Sequence, residues 1–183
     1  LAVLLVSAML RLAPLWAGYR RVWHDQDAWL HLRTVERLRA LGPGALARAF
    51  YDRELNQPDP RRHPWPPLAP VAAAGGSYLM GVEWSVRVVP IAAWTLAGWW
   101  LYRLARTWSL AQPDAVLAVA LAGFSIEMVR QQGMHFTPNA VSALLAIGLV
   151  RSAFLLAHSA ESRARRILAT ALWTALTTVG YGP

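Results

Sequence analysis

The stretch Trp23-His24-Asp25-Gln26-Asp27-Ala28-Trp29-Leu30-His31-Leu32-Arg33 brings two carboxylates, two histidines and an arginine together just after the first apolar segment of the chain. Asp25 and Asp27 have the Asp-x-Asp spacing with which carboxylates grip a divalent cation. Hard carboxylate oxygens suit Mg²⁺ or Mn²⁺, and such an ion neutralises a leaving phosphate. The same residues suit a helix start, where aspartate accepts orphan backbone N–H groups and meets the positive end of the helix dipole. The two roles are compatible, because a helix start also favours phosphate. His24, His31 and His63 are further ligand candidates, or solvated side chains at an interface. Arg33, Arg37 and Arg39 can face a pyrophosphate, or line a solvated helix face with an Arg33–Glu36 pair.

Two later segments carry the remaining candidates. His63-Pro64-Trp65-Pro66-Pro67-Leu68 is stiff, because proline fixes φ and restricts the residue before it. Read structurally, it is a rigid entry into the next apolar segment. Arg130-Gln131-Gln132-Gly133-Met134-His135-Phe136-Thr137-Pro138-Asn139 is a polar interruption between apolar blocks. His135 and Asn139 can coordinate or hydrogen-bond there, or Asn139 can cap a helix junction. The chain contains no phosphate-binding glycine-rich loop, no zinc motif and no Ser-His-Asp set. With no cysteine, disulfides, thiolate metal sites and cysteine nucleophiles are excluded.

The elements that must position these groups follow from hydropathy. The chain has 183 residues, of which 56% are hydrophobic, and its mean hydropathy is +0.30. The apolar residues fall in long blocks separated by short charged segments, the pattern of a multi-span α-helical membrane protein. The formal net charge is +8 and every basic side chain apart from histidine is an arginine. These arginines lie mainly between the apolar blocks and no soluble nucleic-acid motif accompanies them, so anionic lipid or lipid phosphate is the expected partner rather than nucleic acid. Most of the tryptophans lie near block ends, as interfacial anchors do.

Residues 1–17 read as a truncated first span and 18–67 as a large first polar loop of mixed sign. Within that loop, Asp27 to Leu41 is an amphipathic helix with Trp29, Leu32, Val35 and Leu38 on one side, ended by Gly42-Pro43-Gly44. Residues 45–54 are a second short helix, and Asn56 to Pro67 is a proline-rich loop. Residues 68–82 are apolar but short, with Pro70, Gly75 and Gly76. Spans are expected at 84–104, 113–129, 139–157 and 167–182. The chain opens and closes within or beside apolar runs, and is read as a fragment of a longer protein.

Residues 68–82 decide the topology. If they do not cross, the first loop and the Arg130 segment share one side, and Arg103 lies with Arg163, Arg165 and Arg166 on the other. If they do cross, the first loop joins those arginines. The positive-inside rule favours crossing, whereas length, the glycine pair and the proline flank oppose it.

Taken in order, these segments resemble the catalytic subunit of the oligosaccharyltransferases, particularly the bacterial and archaeal single-subunit type. Asp27-Ala28-Trp29-Leu30-His31-Leu32-Arg33 is similar to the family's first acidic motif, Asn56 to Leu68 to its proline- and tryptophan-containing loop, and Thr177 to Gly182 to a small-residue end of a span. Arg130 to Asn139 falls where the second acidic motif stands. The resemblance implies an all-α GT-C glycosyltransferase fold in a prokaryotic cell membrane, with a large first external loop, the active site on the external face and residues 68–82 not fully crossing. It implies that Asp27 binds Mn²⁺ or Mg²⁺ and polarises the acceptor, and that Arg130 and Arg33 meet donor phosphate. His63 and Trp65 would contact substrate. The donor would be a polyprenyl-(pyro)phosphate sugar and the acceptor a protein asparagine.

One departure bears on mechanism. Gly133-Met134-His135-Phe136-Thr137-Pro138-Asn139 has no carboxylate where the family has acidic ligands. Either His135 takes the place of one, or this member is inactive or uses other chemistry. Two alternatives follow. One is a GT-C enzyme using a polyprenyl-phosphate monosaccharide. The other is a non-enzymatic transporter or inactive relative, for which Asp27 and His135 need not share a side.

Overall fold

The computed structural model describes residues 2–16, 26–49, 52, 67–124, 139–158 and 163–181. All regular structure among them is helical: α1 (Ala2–Trp16), α2 (Gln26–Leu41), α3 (Pro43–Arg48), α4 (Leu68–Met80), α5 (Val82–Thr107), α6 (Gln112–Phe124), α7 (Asn139–His158) and α8 (Arg163–Tyr181). The all-α expectation holds for these residues. Asp25, His63, Trp65, Arg130 and His135 lie outside them.

The apolar positions of α2 recur every three or four residues. Leu32, Val35 and Leu38 are buried together with His31 and Thr34, while Arg33, Glu36, Arg37 and Arg39 are exposed. The helix ends at Gly42, whose φ of 87° is a conformation that glycine alone adopts without strain. Pro43 then opens α3 at once, its missing N–H costing nothing in the first turn. The second short helix therefore begins at Pro43 rather than at residue 45, and it ends at Arg48 rather than 54.

Gly81, at φ 80°, makes the second sharp turn, between α4 and α5. Its N–H donates to the Ser77 carbonyl (2.9 Å) and its carbonyl accepts from the Ser85 N–H (3.0 Å), closing both helix ends. The Ser85 hydroxyl crosses the hairpin to the Ala73 carbonyl, where Gly76 leaves room for it. With 13 residues, α4 is about 20 Å long, well short of a hydrocarbon layer of about 30 Å.

The longest helix, α5, is the spine of the bundle and packs against α1, α2, α4, α6 and α7, while α8 lies along α7. One apolar cluster joins Leu32, Val35 and Leu38 of α2 with Ala69, Ala73 and Ala74 of α4, Val86 and Ala93 of α5, and Val141 and Leu145 of α7. The expected final span at 167 starts earlier, at Arg163, so its charged residues form the first turn of α8. The expected span 113–129 is described as a helix only to Phe124.

Polar side chains are buried beside this apolar cluster, and large apolar ones face outward. Ser7, Arg11, Ser77, Ser85, Ser152 and Arg166 are buried. Leu5, Val6, Met9 and Leu10 of α1, Leu96 and Trp99 of α5, Leu117 and Leu121 of α6, and Leu168 and Leu172 of α8 are exposed. Among the described residues one helix segment, Val141–His158, is both long and apolar enough to cross a membrane.

Candidate functional site

Asp27 lies in the first turn of α2, because the helix begins at Gln26. The apolar face of α2 fixes where that turn sits. Leu32, one turn further on, belongs to the same cluster as Ala69 in the first turn of α4 and Val141 in the first turn of α7. Residues 53–66, with His63 and Trp65, lead into α4, and residues 125–138, with Arg130 and His135, lead into α7. The helix starts that follow all three sequence motifs are thus anchored in one cluster.

The described side chains of α2 divide differently from the sequence expectation. Arg33 is exposed and pairs with Glu36 at 3.3 Å, as a solvated helix face would. An exposed pair of this spacing contributes only about 0.3–0.5 kcal/mol, so Arg33 can exchange Glu36 for another anion at little cost. His31 is not an interfacial side chain, since it is 1% exposed among the apolar residues of α2. Its place on the buried stripe beside Leu32 and Val35 marks it in the sequence as a core residue.

Among the described residues, no group of three or more histidine or acidic side chains could hold a metal ion. Glu36, Asp52 and Glu83 each face an arginine, namely Arg33, Arg48 and Arg87. Asp114 sits in the first turn of α6.

The end of α6 that leads into residues 125–138 is held by α1. Arg11, 1% exposed, donates from Nη2 to the Gly123 carbonyl (2.9 Å) and from Nη1 to the Ser7 carbonyl (3.0 Å) and hydroxyl. The Ser7 hydroxyl also reaches the Gly123 carbonyl at 3.1 Å. A cation at the last turn of a helix satisfies orphan carbonyls and complements the negative end of the dipole. The Arg11 guanidinium also lies 5.6 Å from the centroid of the Trp94 ring. Arg11→Met should destabilise the protein by about 2–3 kcal/mol, because a charge-assisted bond is lost and a buried carbonyl is left underserved. Thermal melting in detergent measures this. In the sequence Arg11 stands out only as a charge in an apolar run.

No known family model matches this chain, and no curated protein or solved structure shows significant similarity to it.

The opposite end of the bundle holds a constellation that the sequence reading did not anticipate. Arg151 of α7 lies over Trp100 of α5, 4.8 Å from the ring centroid, and Trp100 meets Trp173 of α8 edge-on at 5.6 Å. Arg103 lies 6.0 Å from the centroid of Trp99. Trp108 touches Phe154, on which His158 stacks at 4.4 Å. Arg166 donates to the Leu155 carbonyl near the end of α7. The Trp99–Arg103 pair is visible in the sequence as neighbours one turn apart on a helix. The pairing of Trp100 with Arg151 is not, because it joins two helices.

Proposed function

We propose that this chain is an integral-membrane glycosyltransferase of the GT-C type. It uses a polyprenyl-(pyro)phosphate sugar donor and acts on a protein asparagine. The observation that carries this reading is the shared cluster of Leu32, Ala69 and Val141. It ties the first turns of α4 and α7, and the helix that begins beside Asp27, to one part of the bundle. A common site for Asp27, His63, Trp65 and Arg130 requires such an anchor. The bilayer part of the reading is supported by the apolar segment Val141–His158 and by exposed leucines around buried polar residues, the arrangement expected where lipid is the solvent.

In this reading Asp27 polarises the acceptor amide, and Arg130 and Arg33 neutralise the phosphate that leaves with the lipid. Positioning and charge stabilisation supply most of the rate. Mn²⁺ or Mg²⁺ would be held by Asp27 with His135. The direct test is transfer of a lipid-linked glycan to an acceptor peptide by the full-length protein in the presence of Mn²⁺. Absence of transfer with both oligosaccharide pyrophosphate and monosaccharide phosphate donors would reject the enzyme. Transfer from the monosaccharide donor alone would identify the other GT-C class.

The topology of the site is tested separately. Because the chain has no cysteine, single cysteines at Asp27 and His135 label against a silent background. Both should react with a membrane-impermeant maleimide from the same, external side of intact cells. Labelling from opposite sides would place α4 across the membrane and would favour a transporter or other non-enzymatic reading.

A further inference from the structure

We propose that the arginines at the α5–α7–α8 end of the bundle form a binding site for the phosphate of an anionic phospholipid headgroup, centred on Arg103 and Arg151. The inference rests on the bilayer part of the proposed function and not on sugar transfer.

Three observations converge there. First, positive charge is concentrated there. Arg103 and Arg166 lie within Coulombic reach of Arg151, and Arg163 and Arg165 are exposed on the first turn of α8. Among the described residues, no carboxylate forms an ion pair with Arg103 or Arg151. Like charges gathered at one end of a bundle attract anions. Second, the guanidinium groups are placed by aromatic rings rather than by acids: Arg151 over Trp100 and Arg103 over Trp99. Stacking on a ring orients the planar fork and leaves its edge donors for a phosphate oxygen. Third, the site lies at an apolar boundary. On α8, Arg163 and Arg165 are followed by exposed Ile167 and Leu168. On α5, exposed Leu96 and Trp99 precede Arg103. Arginine and tryptophan at the rim of an outward apolar surface are what a headgroup layer meets.

The same rim argues for a lipid rather than a free anion, because acyl chains can cover the exposed apolar residues while the phosphate meets the arginines. It argues for an anionic lipid rather than phosphatidylcholine, because surrounding guanidinium groups repel a choline cation.

The test is native mass spectrometry of the full chain released from mixed phosphatidylglycerol and phosphatidylcholine micelles. Retained phosphatidylglycerol should predominate over phosphatidylcholine. The double variant Arg103→Gln with Arg151→Gln should retain it about 30-fold less well, given about fivefold for each arginine at a lipid surface. Arg48→Gln with Arg53→Gln removes the same charge elsewhere in the chain and should leave retention nearly unchanged. Arg103→Lys with Arg151→Lys should fall between these. Equal retention of the two lipids by the wild type would overturn the proposal without recourse to any variant. Equal loss in both glutamine pairs, or displacement of the lipid by excess inorganic phosphate, would overturn it as well. Failure of the wild type to enter micelles or vesicles would remove the bilayer reading together with this site. Failure of sugar transfer alone leaves the site standing.

Discussion

Asp27→Ala is expected to lower glycan transfer by about 10²- to 10³-fold with the fold intact, the loss usual when a charged group is removed from a preorganised catalytic centre. The structure gives this expectation a clean contrast. Asp27 occupies the first turn of α2, so its other available role is to complement the helix dipole. That role contributes about 0.3–1 kcal/mol of stability and nothing to the chemical step. The packing of α2 comes from Leu32, Val35 and Leu38, all buried further along the helix. Loss of Asp27 should therefore leave α2 docked, with a melting temperature only slightly reduced. Asp27→Glu separates the roles further. It keeps the charge at the helix start but shifts the carboxylate by a methylene, so transfer should fall while stability stays at the wild-type level. Undiminished transfer by Asp27→Ala, measured under single-turnover conditions, would remove Asp27 from the mechanism and leave it as a helix-start residue.

A large effect on stability is expected at Gly148 in α7. A Cβ there would lie 2.5–2.6 Å from three atoms of the Trp173 indole. Trp173 has little freedom to withdraw, since its ring is held edge-on against Trp100 and Trp100 in turn carries Arg151. Gly148→Ala must push α7 and α8 apart or turn the indole out of its site. Overpacking of this kind costs about 1–3 kcal/mol, and we expect the upper part of that range because the indole is rigid. The Ser152–Thr170 hydroxyl bond at 3.1 Å, one turn along the same interface, would be strained with it. Denaturation in detergent should show the loss. Combining Gly148→Ala with Trp173→Ala should recover part of it, because the second substitution removes the clash. Strictly additive losses in that double-mutant cycle would show that the two residues do not interlock.

The helices of this protein follow from patterns that act over one or two turns. The amphipathic repeat of Leu32, Val35 and Leu38 marks α2, and Gly42-Pro43 marks its end, because backbone φ and a missing N–H are local constraints. Apolar length marks α5 and α7 in the same way, although only Val141–His158 combines length and hydropathy sufficiently to cross a membrane among the described residues. The start of α8 moved because polar residues join the helix for tertiary reasons, whereas that of α3 moved through the local Gly42-Pro43 turn. The first turn of α8 takes in Arg163 to Arg166, and Arg166 is buried because it reaches the Leu155 carbonyl of α7.

The candidate site was legible only in part. Asp27 stands out by residue type and spacing, and the position of its helix start follows from the sequence. The Arg33–Glu36 pair, one of two readings the sequence leaves open for Arg33, is present. For His31 the sequence leaves open a ligand or a solvated interfacial side chain, and the structure buries it in the core instead, since the stripe it shares with Leu32 faces α4 and α5.

By itself the sequence determined the helical class, the amphipathic face of α2, the placement of Asp27 at a helix start and the excess of arginine. Each depends on intrinsic residue chemistry or on short-range periodicity. Tertiary structure alone decided that Val141 joins Leu32 and Ala69 in one cluster, that Arg11 closes the end of α6, that Gly148 admits Trp173, and that Arg151 rests on Trp100. These pairings bring together residues far apart in the chain. They are selected by the shape and charge of two packed surfaces at once, which no pattern along one helix records.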